Sequence, residues 1–293
     1  MRKTNRTGSR YLKALWVKTD YHYVLYHFRQ TSIKLPTSVV GMCFNICSTH
    51  LFKHMENTNE IALHETVDPF LNNLIWIPDF DSFPRSFYYP EKLPKKSILF
   101  LGLHPPKSEE KHPRVESYNQ ELNEVGNPYF KQFQEIAEYC NTRWAHLNLL
   151  FFRKTKHNCI DELLKKEAGV HFIWEQLKIT DQIIRQIEPE IIVVNNADVR
   201  TFLGFNKTGD KNVWLGYDFV LDNAIGTYYW KRIPVFFTNL FKGQRTLDKG
   251  SFERLKWHIR HAMIVELERA NKEAIDLNKD LDTRLEGLRF STT

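Results

Sequence analysis

Residues 98–106 read ILFLGLHPP, an apolar run that passes through a glycine into a histidine and two prolines. The continuous apolar segment 97–103, bounded by Gly and Pro, is typical of a strand buried on both faces. Gly102 permits a tight exit from this strand, and the two prolines stiffen the loop that follows. His104 would therefore stand on a rigid support, either facing a crevice or bonded to its own loop.

Strand-like and helix-like segments alternate downstream of this run. Further strands are predicted at 144–152, 190–195 and 234–239, and helices at 129–140, 160–166, 172–187, 198–203 and from a Ser251 cap to about residue 286. Segments 217–221 and 227–231 are predicted to pair as a hairpin. This alternation predicts an α/β fold of three layers, α/β/α, with a central, mostly parallel sheet. A ligand would bind beyond the carboxyl ends of its strands.

Composition restricts the class of protein. The chain has 293 residues and a net charge of +6, which favours a polyanionic partner such as nucleic acid. No run approaches the ~20 apolar residues of a membrane span. Four scattered cysteines favour a reducing cytoplasm over a disulfide framework or a metal site. We expect a cytoplasmic protein with no cofactor, no metal and no obligate protein partner, and hence a monomer.

The sequence predicts an uncertain leader followed by a single domain. Residues 1–54 mix Tyr, His and Phe with Lys and Arg and show no sustained period, whereas 55–293 form a single α/β domain with a long C-terminal helix. The leader is either a basic, aromatic arm or an extension ahead of a natural start at Met55. Between 77 and 96, four prolines and several rings predict an ordered surface wrap.

Three further stretches carry polar or aromatic groups towards the same edge of the sheet. In GNPYF, Tyr129 and Phe130 open a helix, where their rings could stack on a flat heterocycle or anchor the core. In HLNLLFFR, Asn148 offers an amide donor and acceptor to the edge of a pyrimidine, or caps local backbone. After the strand that ends at Asn239, the loop holds Leu240, Phe241, Lys242, Gln244 and Arg245. Such a basic loop with apolar residues suits a phosphate backbone and a wedge, or is a solvated loop.

Together these four elements resemble the uracil-DNA glycosylase superfamily over residues 97–262, with GNPYF closest to its mismatch-specific branch. The resemblance implies a glycosylase-like fold and a DNA partner, double- or single-stranded. It implies catalytic roles for His104 and Asn239, at the water and the departing base. Base binding falls to Tyr129, Phe130 and Asn148. DNA binding falls to the loop 240–245, through Leu240, Phe241, Lys242, Gln244 and Arg245.

The sequence departs from that superfamily at two motifs. His104 replaces the usual Asp or Asn, and Leu240-Phe241 replaces the expected Pro-Ser. These changes predict a DNA glycosylase for a modified or damaged pyrimidine, for example a modified cytosine in phage DNA, with a role in antiviral defence. Two alternatives remain open. One is an ordinary uracil or mismatch glycosylase of base-excision repair, and the other is an inactive DNA-binding relative or a small-molecule hydrolase on the same fold.

Overall fold

The computed structural model describes residues 60–73, 86–105, 115–119, 129–153, 158–205, 214–241 and 246–290. All of them belong to the unit 57–293, one of two into which the chain divides. The predicted leader, residues 1–54, lies outside the described residues, so its prediction is not tested.

Ten strands and six helices occupy the described residues. The strands are β1 (Glu60–Ala62), β2 (Phe87–Pro90), β3 (Lys92–Pro94), β4 (Ile98–Gly102), β5 (Val115–Tyr118), β6 (Trp144–Asn148), β7 (Ile191–Val194), β8 (Phe219–Asp222), β9 (Thr227–Trp230) and β10 (Ile233–Phe237). The helices are α1 (His64–Asn73), α2 (Lys131–Cys140), α3 (Asn158–Leu164), α4 (Glu167–Ile187), α5 (Ala197–Leu203) and α6 (Lys249–Phe290).

A six-stranded sheet in the order β6-β4-β7-β10-β9-β8 forms the centre of the fold. The pairs β6–β4, β4–β7 and β7–β10 are parallel, whereas β9 pairs antiparallel with β10 and with β8. The sequence therefore predicted correctly that the fold is mixed α/β with a mostly parallel central sheet. The chain passes from β4 to β6 on one side and then crosses back to β7 on the other. The connections thus reverse direction at β4.

Helices cover both faces of this sheet because its central strands are apolar on both sides. Leu99 and Leu101 of β4 lie in one core cluster, which also includes buried residues of α4 and α5. Ile98 and Phe100 lie in a second cluster, together with buried residues of α2 and α6. Successive side chains of a strand point to opposite faces, so the two clusters lie on opposite sides of the sheet.

Two short strands, β2 and β3, lie in the described part of the predicted surface wrap, from residue 86 onwards. β1 pairs with β3 antiparallel, and β2 pairs with β5 in parallel. The Tyr88 N–H donates to the Phe151 carbonyl at 2.8 Å, so β2 lies beside the chain that leaves β6. Such strands of three or four residues are held by their partners, and their sequences carry too few residues for a period to be read.

The start of α6 differs from the prediction. The helix begins at Lys249, and Ser251, predicted as its cap, lies inside the first turn. The Ser251 N–H and hydroxyl donate to the two carboxylate oxygens of Asp248, at 2.9 and 2.6 Å. Asp248 is therefore the cap, and its carboxylate satisfies a backbone donor that the first turn leaves without a helical partner.

Candidate functional site

Four parallel strands end at one edge of the sheet. In open α/β sheets ligands bind outside the carboxyl ends of the strands, where the connections reverse direction. Here that place lies at the ends of β6, β4 and β7, because the chain crosses over β4 between β6 and β7. Three of the four sequence elements singled out above, those with His104, Asn148 and Asn239, leave from this edge.

A row of four residues crosses these strand ends. Gly102 pairs with Asn148 on one side, and Leu101 pairs with Val194 on the other, so Asn195 follows next to Gly102. The pairing of Val194 with Phe237 extends the row to Thr238. By strand alternation the row shares the face of Phe100 and Val193, which lie in the cluster under α2 and α6. Two asparagines therefore flank a glycine on one face of the sheet.

Gly102 leaves room for the side chain of Asn148 next to it. A Cβ at Gly102 would lie 2.3 Å from Asn148 Oδ1 and 3.3 Å from His146 Nε2. The Asn148 amide thus leans over the Gly102 backbone. Asn148 is 8% exposed, and no hydrogen bond to its amide exists within the described part of the chain. An almost buried amide without a protein partner offers its donor and acceptor to a ligand, which weighs against a backbone-capping role.

Asn195 and Tyr129 form a second polar pair at this edge. Asn195 Nδ2 donates to the Tyr129 hydroxyl at 3.3 Å. Asn195 is fully buried, and its Oδ1 has no hydrogen-bond partner among the described residues. Burial raises the pKa of Tyr129, and the hydrogen bond from Asn195 opposes this shift. Sequence reasoning assigned Asn195 no role, although its position directly after a β-branched strand was visible.

His146 is a second residue that the sequence analysis missed. Its Nδ1 lies 3.2 Å from the Tyr118 hydroxyl, and its ring stacks on Phe133 at a centroid distance of 5.3 Å. Burial lowers the pKa of His146 to about 3, so the imidazole is neutral at pH 7. His146 lies two residues before Asn148 and hence on the same face of β6. A polar residue at every second position of an apolar strand was the signal available.

Helix α4 fixes the chain that leaves β6. Gln176 Oε1 accepts a hydrogen bond from the Phe151 N–H at 2.9 Å, and Thr180 Oγ1 donates to the Leu149 carbonyl at 2.8 Å. Both polar side chains are fully buried. They satisfy backbone groups that have left the sheet ladder, and they hold the segment next to Asn148 in place.

His104 lies on the exit loop of β4, two residues beyond the row. Its ring stacks on Phe152 with centroids 5.8 Å apart, and its Nδ1 lies 3.0 Å from the Pro105 carbonyl oxygen. A carbonyl can only accept, so Nδ1 carries the proton of the neutral ring and Nε2 carries the lone pair. The ring is thus oriented by its own loop, as one of the two sequence interpretations expected, and its tautomer is the one in which Nε2 is basic.

Phe130 and Phe241, the candidates that directly follow Tyr129 and Leu240, are core residues. Phe130 is 6% exposed and lies against Trp144 and His146, and Phe241 is 2% exposed. Phe241 packs on Phe133 at a centroid distance of 5.5 Å. In this conformation neither ring is offered to a base or a base stack. Tyr129 is half-buried, however, and so is Leu240, so each pair keeps one candidate nearer the surface.

The segment after β10 is described only in part. Asn239 is exposed, directly after the row residue Thr238. The predicted DNA contacts Lys242, Gln244 and Arg245 lie outside the described residues. Of the other basic residues in this region, Lys256 is turned inward, since its Nζ lies 2.6 Å from Glu135 Oε1 and 3.0 Å from Glu253 Oε1. Lys256 therefore docks α6 onto α2 and is not presented to phosphates.

Two other features lie apart from this edge. A surface cavity of about 540 Å³ is lined by Lys92, Glu138, Arg143 and Trp144 among others. Trp144 begins β6, so this cavity lies at the opposite end of that strand from Asn148. Within the described ranges no three His, Cys, Asp or Glu side chains converge as a metal site would require. No helix of the described residues is both long and apolar enough to span a membrane.

Comparisons with protein-family models and with curated proteins find no match for this chain.

Proposed function

We propose that this protein is a DNA glycosylase that hydrolyses the N-glycosidic bond of a flipped-out, modified pyrimidine. One observation carries the proposal. The amide of Asn148 leans over Gly102, nearly buried and without a protein partner in the described structure, at the edge where ligands of such sheets bind. A pyrimidine presents both donors and acceptors on its polar edge, and an amide can pair with both.

In the proposed reaction, water adds to the sugar carbon as its bond to the base nitrogen breaks. Charge separates in the transition state, with positive charge on the sugar and negative charge on the leaving base. Asn148 binds the polar edge of the base while the ring of Tyr129 covers its face. Asn239, exposed at the end of β10, donates a hydrogen bond to the departing base. Nε2 of His104 takes the proton of the attacking water, in line with the tautomer that the Pro105 carbonyl imposes.

The substrate class follows from the residue at the water position. A neutral imidazole has a different reach from the carboxylate or amide of the family that the motifs resemble, so the sugar and base must sit differently. We therefore propose a modified pyrimidine of the kind found in phage DNA as the substrate, and antiviral defence as the role.

A second candidate is an inactive DNA-binding relative. The observation that favours it is the close attachment of His104 to its own loop, through the Pro105 carbonyl and the stack on Phe152. In that case the edge binds a base without cleaving the glycosidic bond.

Alkali cleavage of oligonucleotides tests the proposal. Single- and double-stranded oligonucleotides, each with one altered base, and modified phage DNA are incubated with the protein, and alkali then reveals abasic sites. We expect cleavage of at least one modified pyrimidine. Asn148→Ala should lower the rate by about 100-fold, the usual loss when one polar contact to a developing charge is removed. Gln182→Ala, which removes a comparable amide from the exposed surface of α4, should leave it unchanged.

The outcomes separate the candidates. Uracil as the only base removed would reject the modified substrate but keep the enzyme. Salt-dependent DNA binding without any abasic site would reject catalysis and favour the inactive relative. Neither binding nor cleavage would overturn the DNA function altogether. If His104→Ala cleaves as fast as the wild type, the assignment of the water-handling residue is wrong.

A further inference from the structure

Helix α6 exposes an unusual amount of apolar surface from Trp257 to Leu281. Among the described residues eleven large apolar side chains are exposed, and six of these lie on this one helix: Trp257, Ile264, Leu267, Ile275, Leu277 and Leu281. From residue 267 to residue 284 every described position of the helix is exposed. A concentration of exposed apolar residues on one element marks an interaction surface.

Four of these six exposed residues fall on a heptad repeat. Trp257, Ile264, Asn271 and Asn278 are spaced by seven, and Leu267, Ala274 and Leu281 form a second series three residues after Ile264. These are the a and d positions of a coiled coil, but the d position between Trp257 and Ile264 is Arg260, whose guanidinium lies over the Tyr139 ring of α2. We therefore call only the six a and d residues from Ile264 to Leu281 the heptad stripe. It spans about 26 Å of helix, and the exposed Ile275 and Leu277 lie beside it.

The opposite face of the helix is already occupied. Glu266 accepts a hydrogen bond from the Tyr229 hydroxyl at 2.6 Å, and Arg269 forms an ion pair with Asp222 at 2.8 Å. One turn further, Glu273 lies 2.6 Å from an Arg232 nitrogen. These contacts bind the polar side of α6 to β8, to β9 and to the turn between β9 and β10, so the orientation of the helix is fixed. The heptad stripe lies on the part of the helix that these contacts do not use.

The charge of this segment argues against a polyanionic occupant. Residues 264–284 contain six acidic and four basic residues. Helices that lie on anionic membranes are instead rich in Lys and Arg on the polar face, and nucleic acid requires positive charge. Several of the charges pair within the helix, such as Arg284 with Asp280 at 2.9 Å. The occupant is therefore an apolar helical surface.

Asn271 and Asn278 indicate which helix binds the heptad stripe. An amide inside an apolar seam is satisfied when the same residue of a second helix lies opposite, which occurs when two identical helices run parallel and in register. Asn271 and Asn278 occupy successive a positions, so a shift by one heptad leaves one amide of each helix facing an apolar residue. We propose that the chain forms a homodimer through a parallel, two-stranded coiled coil of the heptad stripe. This proposal is independent of the glycosylase function and replaces the expectation of a monomer.

The mass of the full chain in solution tests the proposal. Light scattering coupled to size exclusion, at loading concentrations up to about 100 µM, should give about twice the 34.9 kDa of one chain. The double variant Leu267→Asp, Leu281→Asp should be monomeric, while its far-ultraviolet circular dichroism shows that the α/β body remains folded. Lys272→Asp adds an acidic residue to the polar side of the same helix and should remain dimeric.

Cross-linking tests the direction of the helices. Under mild oxidation Leu281→Cys should give a disulfide-linked dimer on a non-reducing gel, because d positions face each other in a parallel pair. Lys272→Cys, on the outer face, should give no link beyond that of the wild type. A monomer at all concentrations would overturn the proposal, and so would a dimer that survives the double Asp variant. A dimer without the Leu281→Cys link would exclude the parallel arrangement. Binding of the monomer to neutral lipid vesicles through the same residues would assign the stripe to lipid instead.

Discussion

Lowering the pH from 7 to 5 is expected to destabilise the fold through His146. Burial lowers the pKa of this imidazole from 6.5 to about 3 in the folded chain. As the pH falls, the unfolded chain therefore binds the proton first, and protonation favours unfolding. The stabilising contribution is fully present above about pH 6.5 and is lost progressively as the pH falls towards 3.

The size of the effect follows from the two pKa values. Between pH 6.5 and pH 3 each pH unit removes about 1.4 kcal/mol from the free energy of unfolding. At pH 5, which lies roughly 1.5 pH units below the unfolded value, the loss is about 2 kcal/mol. The carboxylates of the chain add their own dependence on pH, so the informative quantity is a difference between proteins.

Urea unfolding at pH 7 and pH 5 measures this difference. His146→Asn keeps a polar atom near the Nδ1 position but cannot be protonated in this range. Between pH 7 and pH 5, the free energy of unfolding of this variant should therefore fall by about 2 kcal/mol less than that of the wild type. His171→Gln, at an exposed position of α4, controls for the removal of an imidazole. Equal losses in wild type and His146→Asn would refute the reasoning, since His146 would then not be held neutral by burial.

Four substitutions test the site and its surroundings more directly. Gly102→Ala should change the free energy of unfolding by less than about 1 kcal/mol, because the new Cβ meets only the end of the Asn148 side chain. It should lower glycosylase activity at least tenfold, because it displaces the Asn148 amide. Unchanged activity would argue against a role for Asn148 beside Gly102. Gln176→Leu leaves a buried N–H after β6 without its partner and should reduce the free energy of unfolding by about 1–3 kcal/mol, as measured in urea. Phe241→Ala leaves a cavity in the core and should lower the free energy of unfolding by about 3–5 kcal/mol. Leu240→Ala should lower it by less than about 1 kcal/mol but weaken DNA binding. The reverse pattern would exchange the roles of the two residues.

The central strands could be predicted from the sequence because both of their faces are buried. Strands β4, β7 and β10 are almost continuous apolar runs, and the helices between them have a clear period. The short strands β2 and β5 could not be found in this way. They contain four residues each, and β5 includes only one fully buried side chain, so their conformation depends on the pairing with each other.

In the candidate site, too, some features could be predicted from the sequence and others only from the tertiary structure. The sequence alone determined that polar groups follow the apolar strands, and it selected Asn148 and His104 on that basis. It selected Tyr129 as one of the aromatic pair that opens the next helix. Only the tertiary structure aligned Asn148 with Asn195 across Gly102, because the register of parallel strands is set by contacts between segments distant in the chain. Packing also distinguished neighbours that the sequence treats alike. Tyr129 and Leu240 remain partly exposed, while the residues next to them are buried, because only one side of a chain segment can face a filled core.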